Sequence, residues 1–197
     1  MKIAIDFDGT IYDTEKEMRV AGEIYDIEKV HGKGMVDRNQ MWAENRYNWT
    51  DEENSNFIKS FVELTKKSNV MPGAKEVIEK IQKMGAEIIL VTARGYEPNE
   101  DNAGMIEIAK EKLEADNFHF SKYYFKMLNK SQICLDENVD FIIDDSPDVC
   151  QETINNNIKT IFLRDSEVND VKEPNEYLYE VGNWGEIYRI IYDYIHK

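Results

Sequence analysis

The sequence predicts an α/β protein: a central parallel sheet covered by helices, with a small helical segment inserted after the first strand. Three observations carry this. Short apolar runs such as Ile3-Ala4-Ile5, Ile88-Ile89-Leu90-Val91 and Phe141-Ile142-Ile143 are bounded by turn residues, as strands buried on both faces are. Such runs alternate with stretches of helical spacing, the pattern of βαβ units. The stretch from Thr14 to Val70 shows no strong strand character at all. At 197 residues the chain suits one substantial domain, or a core carrying one sizeable insertion.

Residues 2–6 form the first strand. Helices are expected at Thr14 to Val30, Val36 to Tyr47 and Thr50 to Ser68, separated by His31-Gly32-Lys33-Gly34 and by Asn48-Trp49-Thr50. Thr50-Asp51-Glu52-Glu53 sets a capping threonine three residues before a glutamate, a capping box that opens the last of these helices. Met71-Pro72-Gly73 returns the chain to the core, where Val77, Ile78, Ile81 and Met84 recur at helical spacing until Gly85 ends the helix. Glu87 to Val91 is the second strand. A helix around Ala103 to Ala115, a third strand at Tyr123-Tyr124-Phe125, a short helix from Lys130 to Asp136 and a fourth strand ending at Asp144 follow. Asp148 to Asn155 reads as helix, Lys159 to Leu163 as the fifth strand, and Trp184 to Ile195 as a closing amphipathic helix, with Arg164 to Asn175 the most loop-like tract. The expected division is residues 1–14 and 71–197 for the core and 15–70 for the insertion.

Composition narrows the function. A net charge of −15 repels the phosphate backbone of long nucleic acids, whose binding rests on clustered Lys and Arg. Local cations can still reverse the field inside one pocket, so a small anionic substrate is compatible with it. The apolar runs fall far short of the roughly 20 residues a transmembrane helix needs, so no membrane partner is expected. Asp6 and Asp8 interrupt the N-terminal apolar run before it forms the core of an export signal. Two cysteines, Cys134 and Cys150, make no disulfide framework, and a cytoplasmic location is expected. His31, His119 and His196 are scattered and form no zinc-binding pattern.

Two acidic turns carry the chemistry: Asp6-Phe7-Asp8-Gly9-Thr10 after the first strand and Asp144-Asp145 at the end of the fourth. In open α/β sheets ligands bind beyond the carboxyl ends of the strands, so these four aspartates are expected in one crevice. Crowded carboxylates repel one another unless a hard cation sits among them, and an all-oxygen donor set suits magnesium. Asp6 and Asp8, two residues apart, can divide labour, one attacking phosphorus and the other moving a proton. Gly9 lets the backbone bend closely around a ligand. Thr92 ends the second strand, and Lys130 supplies a cation before the fourth, with Lys126 its rival.

An apolar strand running into D-x-D-G-T, a strand ending in Thr92, a lysine, and a strand ending in paired acids occur here in that order. In this the sequence resembles the haloacid dehalogenase-like superfamily, over roughly residues 1–14 and 71–165. The resemblance implies a three-layer Rossmann-like core and, for the insertion, a C1 cap that closes over the nucleophile and selects substrate. It implies that Asp6 is the nucleophile and Asp8 the general acid/base. Magnesium would be held by Asp6, the backbone carbonyl of Asp8 and Asp144, with Asp145 a ligand or an outer-shell partner. Thr92 and Lys130 would bind the transferring phosphoryl group. Ala93 and Arg94 follow Thr92 directly as candidate substrate-binding residues, with a surface salt bridge the alternative for Arg94. An aspartate at position 8 matches the phosphatases and phosphomutases of the superfamily rather than its dehalogenases.

The helical insertion, the run Ile142-Ile143-Asp144-Asp145-Ser146-Pro147 and the short interval from Lys130 to the acids are similar to 5′-nucleotidases of the deoxyribonucleotidase type. The resemblance therefore implies a nucleoside monophosphate as substrate. The alternatives are a phosphatase or phosphomutase of a phosphosugar or another small phosphometabolite, and a regulatory binding module on the same fold. The insertion is rich in aromatic residues on which a nucleobase can stack. Phe57 and Phe61 fit the insertion's own core, while Trp42 and Trp49 are the candidates to reach substrate.

Overall fold

The computed structural model describes residues 1–96, 104–164 and 169–197. Its centre is a parallel sheet of β1 (Lys2–Ile5), β2 (Glu87–Val91), β3 (Lys122–Tyr124), β4 (Phe141–Asp144), β5 (Lys159–Leu163) and β6 (Leu178–Val181), in the order β3-β2-β1-β4-β5-β6. The two-residue alternation of a strand sorts its side chains to opposite faces. Ile3, Ile5, Ile88, Leu90, Phe141 and Ile143 pack with α5 (Ala74–Lys83), α6 (Met105–Ala115) and α9 (Trp184–Ile195). Ala4, Ile89, Val91 and Ile142 face the side that carries α7 (Lys130–Asp136), while Phe162 of β5 packs with α8 (Pro147–Asn155). Both faces of the sheet are thereby covered, which explains why the central strands read as continuous apolar runs.

The insertion between β1 and β2 contains α1 (Thr14–Tyr25), continued by a π-helical turn at Asp26–Val30, then α2 (Ala43–Tyr47), α3 (Asp51–Ile58) and α4 (Phe61–Lys67). Its two ends run side by side. Tyr12 bridges Val70 in antiparallel fashion, Asp13 N–H donates to Asn69 O at 2.8 Å and Met71 N–H to Ile11 O at 2.8 Å. The insertion has a core of its own built on Tyr47, Trp49, Phe57 and Leu64.

The helix expected at Val36 to Tyr47 is reduced to Ala43–Tyr47. The Arg46 guanidinium donates to Gln40 O from Nε and Nη2 at 2.9 and 2.7 Å, and Arg46 O accepts from the amides of Val36 and Asp37, so the chain folds around this one side chain. Asp37 further holds the Asn39 amide at 3.0 Å, a local bond that competes with helix formation. The helix expected at Thr50 to Ser68 is interrupted at Lys59-Ser60, where Ser60 Oγ donates to Phe57 O at 2.6 Å. The capping box that opens α3 is present: Thr50 Oγ1 accepts from Glu53 N–H at 3.3 Å, and Glu53 Oε2 from Thr50 N–H at 2.8 Å.

The third strand lies one residue earlier than expected, at Lys122–Tyr124. The sixth, Leu178–Val181, was absent from the sequence-based expectation; it is an edge strand on which only Val181 is buried, so its apolar signal is weak. Ala103, the expected first residue of the helix after β2, and residues 165–168 of the loop-like tract lie outside the described residues. Cys134 and Cys150 are free and buried, and among the described residues no helix is long and apolar enough to cross a membrane.

Candidate active site

In this strand order the connections leave β1 in one direction towards β2 and return on its other side to β4, so a crevice opens beyond the carboxyl ends of these central strands. Asp6 is the first residue past β1, anchored by its amide to Ile143 O at 3.0 Å. Asp144 is the last residue of β4, and Ser146 N–H donates to its Oδ1 at 2.9 Å. Thr92 is the first residue past β2, with its amide on Tyr124 O at 2.9 Å. Lys130 opens α7, which Asn129 caps by accepting from Gln132 N–H at 3.0 Å. Short elements thus deliver Asp6, Asp144 and Lys130 to one place.

Lys130 reaches between the two acids. Its Nζ donates to Asp144 Oδ2 at 2.7 Å and lies 2.8 Å from Asp6 Oδ1, and all three residues are buried. Asp6 Oδ1 thus has the Lys130 ammonium as its ion-pair partner. Burial disfavours the lysine's charge, but Asp144 and Asp6 outweigh it and hold the ammonium protonated well above its usual range. Lys126 is exposed and stands outside this cluster, with its amide on Arg94 O at 3.1 Å.

Ligand oxygens of Asp6, Asp144 and Asp145 lie within 4.8 Å of one another. Burial pushes the Asp6 carboxyl up to about 6, against the pull of Lys130 and with Asp144 and Asp8 adding to the rise. Asp145 is raised well above the carboxylate range, by burial first and then by Asp144, Glu15 and Asp6. Asp6 and Asp145, both raised, crowd against Asp144 and form with it an all-oxygen donor set suited to a hard divalent cation such as magnesium. Gly9 makes room for the arrangement. Its φ is +65°, and a Cβ there would stand 1.8 Å from Asp145 Oδ2. The Asp8 side chain is outside the triad, so a part for Asp8 in a metal shell falls to its backbone carbonyl.

Asp8 faces Thr14 and Arg94 instead. Its Oδ1 accepts from Thr14 Oγ1 at 2.6 Å and from Arg94 Nη2, while Oδ2 accepts from Arg94 Nε at 3.0 Å. Thr92 Oγ1 accepts from the Arg94 amide at 3.2 Å, and Ala93 is half-buried in the turn closed by Tyr96 N–H to Ala93 O at 2.9 Å.

The two tryptophans part company. Trp49 is 7% exposed, stacked on Tyr47 with ring centroids 4.6 Å apart, and its indole N–H donates to the buried Asp26 at 2.8 Å. Of the two candidates to reach substrate, Trp49 is the one that the neighbouring rings of Tyr25 and Phe57 and the Asp26 acceptor draw into the insertion's core. Trp42 is 55% exposed and lines a groove of about 270 Å³ whose opposite wall includes Pro147, Asp148 and Gln151 of α8, just beyond Asp145. Sequence reasoning gave no role at the site to Thr14, Glu15 and Thr65, nor to Ser146 beyond its place in a motif. Thr14 lies only six residues after the Asp8 it bonds, whereas Thr65 comes to the site through the tertiary fold.

No protein-family model and no curated protein matches this chain. Solved structures do resemble it. A haloacid dehalogenase-like family hydrolase from Streptococcus pneumoniae superposes with a TM-score of 0.66 at 15% identity, covering 96% of this chain and 97% of the other. A predicted phosphatase from Clostridium acetobutylicum gives 0.64 at 15% identity over 98% of each chain. A predicted phosphoglycolate phosphatase from Haemophilus somnus gives 0.58 at 15% identity, covering 95% of this chain and 96% of its own. The fold is therefore that of haloacid dehalogenase-like hydrolases, with helices inserted after the first strand.

Proposed function

We propose that this chain is a magnesium-dependent phosphomonoester hydrolase that works through an aspartyl-phosphate on Asp6, with nucleoside monophosphates as substrates. The observation that carries the reading is the buried cluster of Asp6, Asp144 and Asp145 with Lys130 between two of its carboxylates. Asp6, Asp144, Asp145 and the Asp8 carbonyl would hold the cation. When bound, magnesium supplies positive charge for the phosphoryl oxygens.

The chain's own residues do the rest. An Asp6 oxygen attacks phosphorus, the ester P–O bond breaks, and Asp8 gives a proton to the departing oxygen. Water then attacks phosphorus, passes a proton to Asp8, and the bond to Asp6 breaks to release phosphate. Lys130 neutralises Asp6 and a phosphoryl oxygen, and the Thr92 hydroxyl donates to another. Residues 15–70 act as a lid, with Trp42 in the groove beside α8 offering a face for a nucleobase.

A second reading, a phosphatase of a small phosphometabolite, is favoured by the burial of Trp49, which leaves one tryptophan for base stacking, and by the likeness to a predicted phosphoglycolate phosphatase. A phosphate-release screen over nucleoside monophosphates, sugar phosphates and phosphoglycolate, with magnesium or with chelator, separates the two. Preference for nucleotides supports the first reading, and turnover of only the others supports the second. An isomerised ester indicates a mutase, and no release from any ester contradicts both. Because the cation must displace a proton from Asp6, and from the raised Asp145 as well, magnesium binding followed by thermal shift is expected to weaken by at least about tenfold per pH unit below about 6.

A further inference from the structure

Arg94 stands in the turn after β2, where a cation would ordinarily be read as a phosphate contact. Its guanidinium is otherwise committed. Nε donates to Asp8 Oδ2 at 3.0 Å and Nη2 to Asp8 Oδ1, a bidentate pair. Nη1 donates to Thr65 Oγ1 of α4 at 3.0 Å and points towards Met105 Sδ at 3.9 Å. One face of the guanidinium covers the Phe7 ring, 4.4 Å from its centroid, and the side chain is 0% exposed. All three nitrogens have partners within the protein, and none is turned to solvent where a phosphate would arrive.

We infer that Arg94 is a positioning residue that fixes the carboxylate of Asp8 against helix α4 of the insertion, and is not a phosphate contact. Thr65 is suited to the task. It is fully buried, and its hydroxyl donates to Phe61 O at 2.9 Å, which turns its lone pairs towards Arg94. At Asp8 two donors, Thr14 Oγ1 and Arg94 Nη2, meet Oδ1 and one, Arg94 Nε, meets Oδ2. A carboxylate offers about four lone-pair directions, so Oδ2 keeps room for a proton in transit. The seating of α4 and the aim of that oxygen are thus joined through one side chain.

The kinetic consequence rests on the hydrolase reading, while the contact itself does not, so the test has two arms. In the first, Arg94→Lys keeps the charge but loses the planar fork, and Thr65→Val removes only the hydroxyl. Arg94→Lys is expected to lower kcat by about 100-fold, and Thr65→Val by about 3- to 10-fold. In both, the inhibition constant of inorganic phosphate stays within about threefold of wild type, because the phosphate site is untouched. In the second arm, amide hydrogen exchange across Phe61–Lys67 quickens in both variants relative to β1.

An inhibition constant for phosphate that weakens in step with kcat/KM would make Arg94 a phosphate contact and overturn the inference. So would unchanged exchange in α4. A wild-type protein that hydrolyses no phosphomonoester would refute the hydrolase reading, and the exchange arm would still decide whether Arg94 ties Asp8 to the insertion.

Discussion

Asp6→Asn is expected to abolish phosphate release, by at least about 10⁴-fold, and yet to leave the magnesium-free protein more stable than wild type at pH 7.5. The loss follows from replacing the attacking carboxylate with an amide. The gain follows from burial. The Asp6 carboxyl is raised from 3.8 to about 6 in the folded protein, so the native state binds a proton more readily than the unfolded chain does. Between these values stability falls as pH rises, and above about 6 the full penalty is present. That penalty is on the order of 2–3 kcal/mol. Asparagine does not carry it. Thermal melts in chelator should show the variant several degrees more stable at pH 7.5, with the gap closing as pH falls towards 4. A variant that is less stable and still active would remove Asp6 from its assigned role.

Lys130→Met is expected to lose activity as well, but with the opposite effect on stability, which falls. The ammonium is the cation between Asp6 and Asp144, in a place where both acids are buried. Removing one member of a buried ion cluster leaves charge without compensation and costs about 3–5 kcal/mol. Magnesium should restore part of that stability, because a cation bound among the same acids relieves their repulsion. Lys126→Met is the matched control. Lys126 is exposed, so its replacement should change stability by no more than about 0.5 kcal/mol and leave turnover near wild type. Equal effects of the two substitutions would contradict the placement of Lys130 at the centre of the site.

The core of this site could be read from sequence because each of its parts is local to a strand end. Asp6, Thr92 and Asp144 stand at the ends of β1, β2 and β4, and an apolar run followed by an acid or a hydroxyl marks such places without knowledge of the fold. What escaped depended on contacts distant in sequence or on competition between local bonds. The residues around Arg46 carry a helix-like pattern from Val36 on, but the pattern cannot show that a guanidinium will claim the Gln40 carbonyl. Trp42 and Trp49 look alike in sequence, and only the packing of Tyr25, Tyr47 and Phe57 decides which is buried. Arg94, directly after Thr92, fitted a substrate contact or a salt bridge equally well in sequence; its pairing with Asp8 and Thr65 spans 86 and 29 residues, beyond any motif. Strand β6 presents only one buried residue and so gave little periodic signal.

The identity of the group that receives phosphorus is the central claim, and it can be measured directly. Wild-type protein mixed with magnesium and a hydrolysable phosphomonoester, quenched in acid during turnover and digested, should yield one phosphorylated peptide. Reduction with borohydride should convert Asp6 within that peptide to homoserine, and the Asp6→Asn variant should yield neither product. Steady phosphate release by the wild type with the phosphoryl group trapped on another residue would contradict the account, as would burst-free turnover in which no phosphorylated protein forms while Asp6→Asn remains active.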